Sequence, residues 1–172
     1  MRILVTGGAG YIGINTSLHL LKGNHEIFIV DNLSNSHLQS IKRLKKLSKK
    51  NFLFSKTDLR EEKKLEKIFS KFKPNAVMHF AGLKSVEESM TAPIDYFDAN
   101  VSGSIKLLNC MNKFNCKKIV FSSSGGGDNF RIFSRQFLGV LDCRDTLYCQ
   151  NEQLEVPPFS SDYRMANLLQ AD

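Results

Sequence analysis

The sequence predicts an α/β chain built around a doubly wound parallel sheet. Three observations carry that expectation. Five short apolar runs alternate with stretches whose apolar residues fall at helical spacing. The runs are apolar throughout, as strands covered on both faces are, instead of alternating between core and solvent. A glycine cluster follows the first run directly, where the next helix opens.

Each element has its own signal. Residues 2–6 (RILVT) form the first apolar run. Residues 11–22 (YIGINTSLHLLK) place Ile12, Thr16, Leu20 and Leu21 at helical spacing, and Gly23 follows as a stop. Residues 26–30 (EIFIV) make a second strand ending at Asp31, and a lysine-rich helix covers roughly 36–49. Residues 51–55 (NFLFS) make a third strand, and residues 61–72 an amphipathic helix closed by Pro74. Residues 75–80 (NAVMHF) make a fourth strand. Pro93 suits the first turn of a long helix to about residue 114, and residues 117–123 (KKIVFSS) make a fifth strand. A strand order of 3-2-1-4-5 puts a ligand crevice at the carboxyl ends of strands one and four. After Ser124 the rhythm stops. The expected organisation is a nucleotide-binding domain over 1–124 and an irregular tail over 125–172.

Composition narrows the class. The 172 residues, 42% hydrophobic and 24% charged, suit one soluble domain. No apolar run approaches the ~20 residues that span a bilayer, and the N-terminal run is shorter than a signal-peptide core of ~7–15 residues. A cytoplasmic protein with no membrane partner is the expectation. Cys110, Cys116, Cys143 and Cys149 form no CxxC pair, so free thiols and no metal are expected. The net charge is +7, yet no lysine follows Lys118, and residues 119–172 hold four arginines against seven acids. The basic excess sits between apolar residues at helical spacing in "IKRLKKLSKK" and "EEKKLEKIFSKFK", which reads as solvated helix faces and not as a nucleic-acid surface.

"VTGGAGYIG" places Gly7, Gly8, Gly10 and Gly13 between strand and helix. Glycines there allow a tight turn, close approach of the backbone to a pyrophosphate, and close packing of helix on strand. The helix N-terminus then offers free N–H groups to phosphate charge. Asp31, eighteen residues after Gly13, suits a ribose diol and repels a 2′-phosphate, which favours NAD over NADP. Asp58 ends the third strand segment where it can reach an adenine edge, and with Glu61 it also spells a helix capping box. In "HFAGLKS", Ala81 and Gly82 keep the backbone close to the crevice and Lys84 brings a cation to it, while His79 sits in an apolar strand as a core histidine.

The stretches "RILVTGGAGYIG", "DNLSNS", "TDLR", "HFAGLKSVEES" and "IVFSSS" make residues 1–124, about 70% of the chain, resemble the UDP-hexose 4-epimerases of the extended short-chain dehydrogenase/reductase family. The resemblance implies a Rossmann-type domain and a role in nucleotide-sugar and galactose metabolism, interconverting UDP-glucose and UDP-galactose. It implies NAD contacts from Tyr11, Ile12, Asp31, Asn32, Asp58, Leu59, Phe80, Ala81, Gly82 and Lys84, and a catalytic Ser124 hydrogen-bonded to the sugar 4-hydroxyl. It also implies that the helix over 93–114 pairs with a second subunit, either another copy or a full-length epimerase.

The chain departs from that family after Ser124. "SSSATVYG" is replaced by "SSSGGGDNF", and no YxxxK pair follows, because Tyr148 is matched with Glu152 and Tyr163 with Asn167. In the family that tyrosine takes the 4-hydroxyl proton, and the lysine lowers its pKa. A family epimerase is about twice this length, its C-terminal half holding the UDP. The chain is therefore expected to be truncated, and impaired or inactive as an epimerase, or a non-catalytic NAD-binding fragment. The family's "DNNV" also reads Asp98-Ala99-Asn100-Val101, with one asparagine near the cofactor absent.

Overall fold

The computed structural model describes residues 1–122. In chain order it contains β1 (Arg2–Thr6), α1 (Tyr11–Lys22), β2 (Glu26–Asp31), α2 (Leu38–Ser48), β3 (Leu53–Lys56), α3 (Glu62–Phe72) and β4 (Ala76–His79). Then come α4 (Val86–Thr91), α5 (Pro93–Phe97), a π-helical turn (Asp98–Ser102), α6 (Gly103–Lys113) and β5 (Lys118–Phe121). The strands form one sheet in the order β3-β2-β1-β4-β5, every pair parallel, as the sequence pattern predicts.

The apolar strands are explained by cover on both faces. Successive residues of a strand point to opposite sides. Ile3, Val5, Ile27, Ile29 and Met78 pack with Ile14, Leu18 and Leu21 of α1 and Ile41 and Leu44 of α2. Leu4, Val30 and Val77 pack with Leu65 and Phe69 of α3 and Leu107 and Met111 of α6. Each such side chain, fully buried, contributes about 1.5–3 kcal/mol. Register supports this layering: Ile3 lies opposite Ile27 on one side and Ala76 on the other. Cys110 and Cys116 are buried free thiols, and burial raises the pKa of both.

The structure revises several boundaries. Gly23 ends α1 at φ −73°, an ordinary value, and the left-handed residue is Asn24 at φ 60°. Lys49 and Lys73, also left-handed, end α2 and α3, and Pro74 then prevents further helix. The expected long helix is continuous in course but contains the π-helical turn, a feature with no sequence period of its own. The short helix α4 was not expected. Its signal was present as Ser85-Val86-Glu87-Glu88: the Ser85 side chain accepts from the Glu88 N–H at 3.3 Å, as in a capping box.

No helix among the described residues is long and apolar enough to cross a membrane. Among those residues no group of three or more His, Cys, Asp or Glu is placed to hold a metal ion. Ser124, Cys143, Cys149, Tyr148 and Tyr163, with the expected tail over 125–172, lie outside the described residues.

Candidate functional site

A cleft of about 380 Å³ opens where the carboxyl ends of β1, β2 and β4 meet the start of α1. Every residue expected on the described part of the cofactor site lines it.

The glycine turn supplies Gly7, Gly10, Tyr11, Ile12 and Gly13. Two of the glycines are sterically required. Gly7 adopts φ +64°, and a Cβ there would sit 2.5 Å from the Ala81 nitrogen. A Cβ on Gly13 would lie 2.3 Å from the Gly7 carbonyl oxygen, so only glycine lets α1 start this close to β1. Among the described residues no side chain caps α1, and no acid lies in its first turn. A 12-residue helix thus presents uncapped N–H groups and the positive end of its dipole. That arrangement is suited to a pyrophosphate.

The second wall carries Asp31, Asn32, Asp58 and Leu59. Asp31 is only 8% exposed. Its Oδ2 accepts from the Ala9 N–H at 2.9 Å, and its Oδ1 accepts from the Leu33 N–H and the Ser36 hydroxyl, both at 2.8 Å. A carboxylate has about four acceptor positions. Among the described residues one, on Oδ2, stays open, and the Ser36 hydroxyl lines the same cleft. The Leu33 bond helps hold that bulky residue at φ 60°, an uncommon conformation that fixes the turn after β2.

Asp58 has more donors. Asn32 Nδ2 donates to it at 2.8 Å, and Arg60 donates through its backbone N–H and its guanidinium. The Arg60 hydrogen bonds are the largest influence holding the Asp58 carboxyl well below the usual carboxylate range. Half of the expected capping box forms. The Glu61 carboxylate accepts from the Asp58 N–H at 3.0 Å, while the Asp58 side chain serves Arg60 instead of capping α3.

The third wall is the loop after β4, with Phe80, Ala81, Gly82 and Lys84, and Lys84 is the single cation among the described lining residues. Asn100 clasps this loop: its Oδ1 accepts from the Leu83 N–H at 2.7 Å and its Nδ2 donates to the Leu83 carbonyl at 3.0 Å. Ala99, where the asparagine was absent from the motif, also lines the cleft. His79 lies beneath the loop, 2% exposed. Ser104 gives its proton to the Asn100 carbonyl at 2.5 Å, so His79 Nε2–H must donate to Ser104 at 2.9 Å. Nδ1 then accepts from the Thr6 hydroxyl at 2.6 Å. Burial, with a smaller contribution from the Lys84 charge, pushes this imidazole down to about 4. His79 is a neutral, fully bonded core histidine, as its position in an apolar strand suggested.

Sequence reasoning left several lining residues without roles, notably Ser36 and Thr57, together with the Asn100 clasp and the Arg60 fork. "DNLSNS" and "TDLR" contained the signals for Ser36 and Arg60. The Asn100 clasp joins segments 17 positions apart, and the Asp98-Ala99-Asn100-Val101 stretch signalled nearness to the cofactor but not this pairing.

The family model of GDP-mannose 4,6 dehydratase matches residues 4–126. A UDP-glucose 4-epimerase of Schizosaccharomyces pombe is 48% identical over 122 residues, 71% of this chain and 34% of that protein. UDP-glucose 4-epimerase 2 of Arabidopsis thaliana is 50% identical over 125 residues, 71% of this chain and 36% of that one. The chain thus spans about a third of the length of these curated relatives. Among solved structures, the UDP-glucose 4-epimerase of Stenotrophomonas maltophila with bound NAD and formylated UDP-arabinopyranose superposes with a TM-score of 0.71 at 41% identity, covering 73% of this chain and 37% of that one. The Bifidobacterium longum enzyme in complex with NAD+ and UDP gives 0.71 at 40% identity, with the same coverage.

Proposed function

The chain belongs to the GDP-mannose 4,6 dehydratase family, and from that premise we propose that its described part is the NAD-binding domain of a UDP-glucose 4-epimerase lineage. One observation supports this most strongly: the expected cofactor residues from three separate motifs line one cleft. The uncapped start of α1 would hold the pyrophosphate, and Asp31 with Ser36 would take the adenosine ribose. Asp58 would meet the adenine edge, and Lys84, the single cation among the described lining residues, would sit near a phosphate or a substrate hydroxyl. NAD, when bound, supplies hydride acceptance and return. The described residues would bind and orient it, and the Thr6–His79–Ser104–Asn100 chain, buried at Thr6 and His79, keeps the third wall in place. Equilibrium dialysis of the purified chain should show one NAD per chain. Retention of no NAD would refute the assignment.

Epimerase turnover is a separate matter. UDP-hexose is the proposed substrate class, with Ser124 at the sugar 4-hydroxyl. Within these 172 residues no tyrosine is followed four positions later by lysine, and the residue four positions after Tyr148 is Glu152. General acid–base catalysis contributes on the order of 10²–10⁴-fold, so the chain alone should turn over UDP-galactose slowly or not at all. An assay with NAD and UDP-galactose checks this, and turnover at about 10 s⁻¹, a median enzyme rate, would contradict it.

A second reading, a dimer partner, is favoured by one feature. Ile94, Phe97, Val101 and Ile105 are exposed on the helical run from α5 into α6. This stripe suits pairing with a second copy or with a full-length epimerase. Sedimentation of the chain, alone and mixed with such an enzyme, tests it.

A further inference from the structure

The turn between β3 and α3 carries an arginine that does not line the cleft. Arg60 grips Asp58 as a fork: Nε donates to Oδ1 at 2.9 Å and Nη2 to Oδ2 at 2.8 Å. Its backbone N–H adds a third bond, to Oδ1 at 2.9 Å. The remaining guanidinium nitrogen, Nη1, donates to Asp98 Oδ2 at 2.8 Å on the π-helical turn. From α6, Lys106 Nζ donates to the Arg60 carbonyl at 2.9 Å. Arg60 is therefore held from two further elements while it holds Asp58.

The arrangement leaves Asp58 with a defined direction. A carboxylate has about four acceptor positions, and here four donors fill them. Three belong to Arg60 and are fixed by the fork and the backbone. The fourth is the Asn32 amide on Oδ2, 2.8 Å away, and it is the one a ligand can replace. Asn32 Nδ2 thus marks where an incoming amino group would sit. The fork also offsets one of the two carboxylate charges lining a cleft whose only lining cation among the described residues is Lys84.

We propose that Arg60 is a positioning residue that sets base specificity: by fixing the plane of Asp58 and offsetting its charge, it makes that carboxylate a directed acceptor for the exocyclic amino group of an adenine. The inference rests on the NAD reading of the cleft. An amino-purine donates to Asp58. A 6-oxo-purine presents a carbonyl to a carboxylate and is disfavoured.

The test is calorimetric titration of the full 172-residue chain with NAD and with nicotinamide hypoxanthine dinucleotide. The unsubstituted chain should prefer NAD about tenfold, the scale of one well-placed charged hydrogen bond. Arg60→Gln should weaken NAD about threefold to tenfold and bring the preference near one. Arg60→Lys keeps the charge but lacks the fork, so it should lose preference more than affinity. In an Asp58→Asn background, Arg60→Gln should cost almost nothing further, because its effect runs through Asp58. An unchanged preference in folded Arg60→Gln or Arg60→Lys protein would overturn the proposal, as would additive losses in the double variant. If Arg60→Gln does not fold, Arg60→Lys carries the same comparison. Absence of NAD binding by the unsubstituted chain would overturn this proposal and the cleft assignment together.

Discussion

The inner and outer sides of the helical run from Pro93 to Lys113 are built to opposite rules. On the inner side Asn100 and Ser104 bond Leu83 and His79, and at its solvent edge the half-exposed Asp98 pairs with Arg60. On the outer side Ile94 and Phe97 are 77% and 67% exposed, and Val101 and Ile105 follow at helical spacing. The Asn100 and Ser104 bonds are partly buried, and a polar group left without a partner there carries a cost toward the roughly 1–3 kcal/mol of full burial, so these bonds hold one geometry. An apolar stripe in water gains nothing until something covers it. One stretch of helix thus serves two separable ends, shaping the cleft and presenting a surface. Substitutions on one side should therefore leave the other unaffected.

The largest expected effect breaks the cleft. Gly13→Val places a side chain where a Cβ alone meets the Gly7 carbonyl at 2.3 Å. NAD binding should fall by about a hundredfold or more, equivalent to about 3 kcal/mol, by calorimetry. Self-association through the outer stripe, measured by sedimentation, should persist wherever the variant remains folded.

Next is acid sensitivity of the inner side. His79 has a folded pKa of about 4 against an ordinary 6.5. Between those values the unfolded chain binds a proton that the folded chain refuses, so the contribution of His79 is complete above pH 6.5 and is lost as pH falls toward 4. The loss amounts to about 3 kcal/mol. Urea midpoints between pH 7 and pH 4 should drop accordingly, and the drop should flatten in His79→Gln. Equal slopes in the two proteins would remove His79 from the account.

A smaller effect concerns cofactor choice. Asp31→Asn removes the charge that repels a 2′-phosphate, so the preference for NAD over NADP should narrow by about tenfold in competition binding. The smallest effect belongs to the outer side. Phe97→Asp should alter stability by less than about 0.5 kcal/mol in thermal melts, because the ring is already in water. The same variant should abolish any self-association while leaving NAD affinity intact. A loss of NAD affinity in Phe97→Asp would show that the two sides are not separable.

Much of the inner architecture was legible in the sequence because its signals are local. Strand β1 followed by Gly7, Gly10 and Gly13 is written within a dozen residues, and Asp31 follows at the end of the next strand. The sheet order came from the same logic, since apolar strands with intervening helices pack in few ways. What was not legible depends on pairs distant in the chain. Thr6 and His79 meet across 73 positions, and Arg60 and Asp98 across 38. The π-helical turn that aims Asn100 has no periodicity of its own. The α4 helix was legible in its Ser85–Glu88 cap, but its few apolar residues show no core-facing stripe: Val86 and Met90 lie in solvent.

The cleft between α1 and the loop after β4 stands or falls as an NAD site on one measurement. Calorimetric titration of the purified chain with NAD and NADP tests it most directly. One NAD should bind per chain, with NADP at least about tenfold weaker, the discrimination resting on Asp31. No binding heat with either nucleotide, or equal affinity for both, would contradict it.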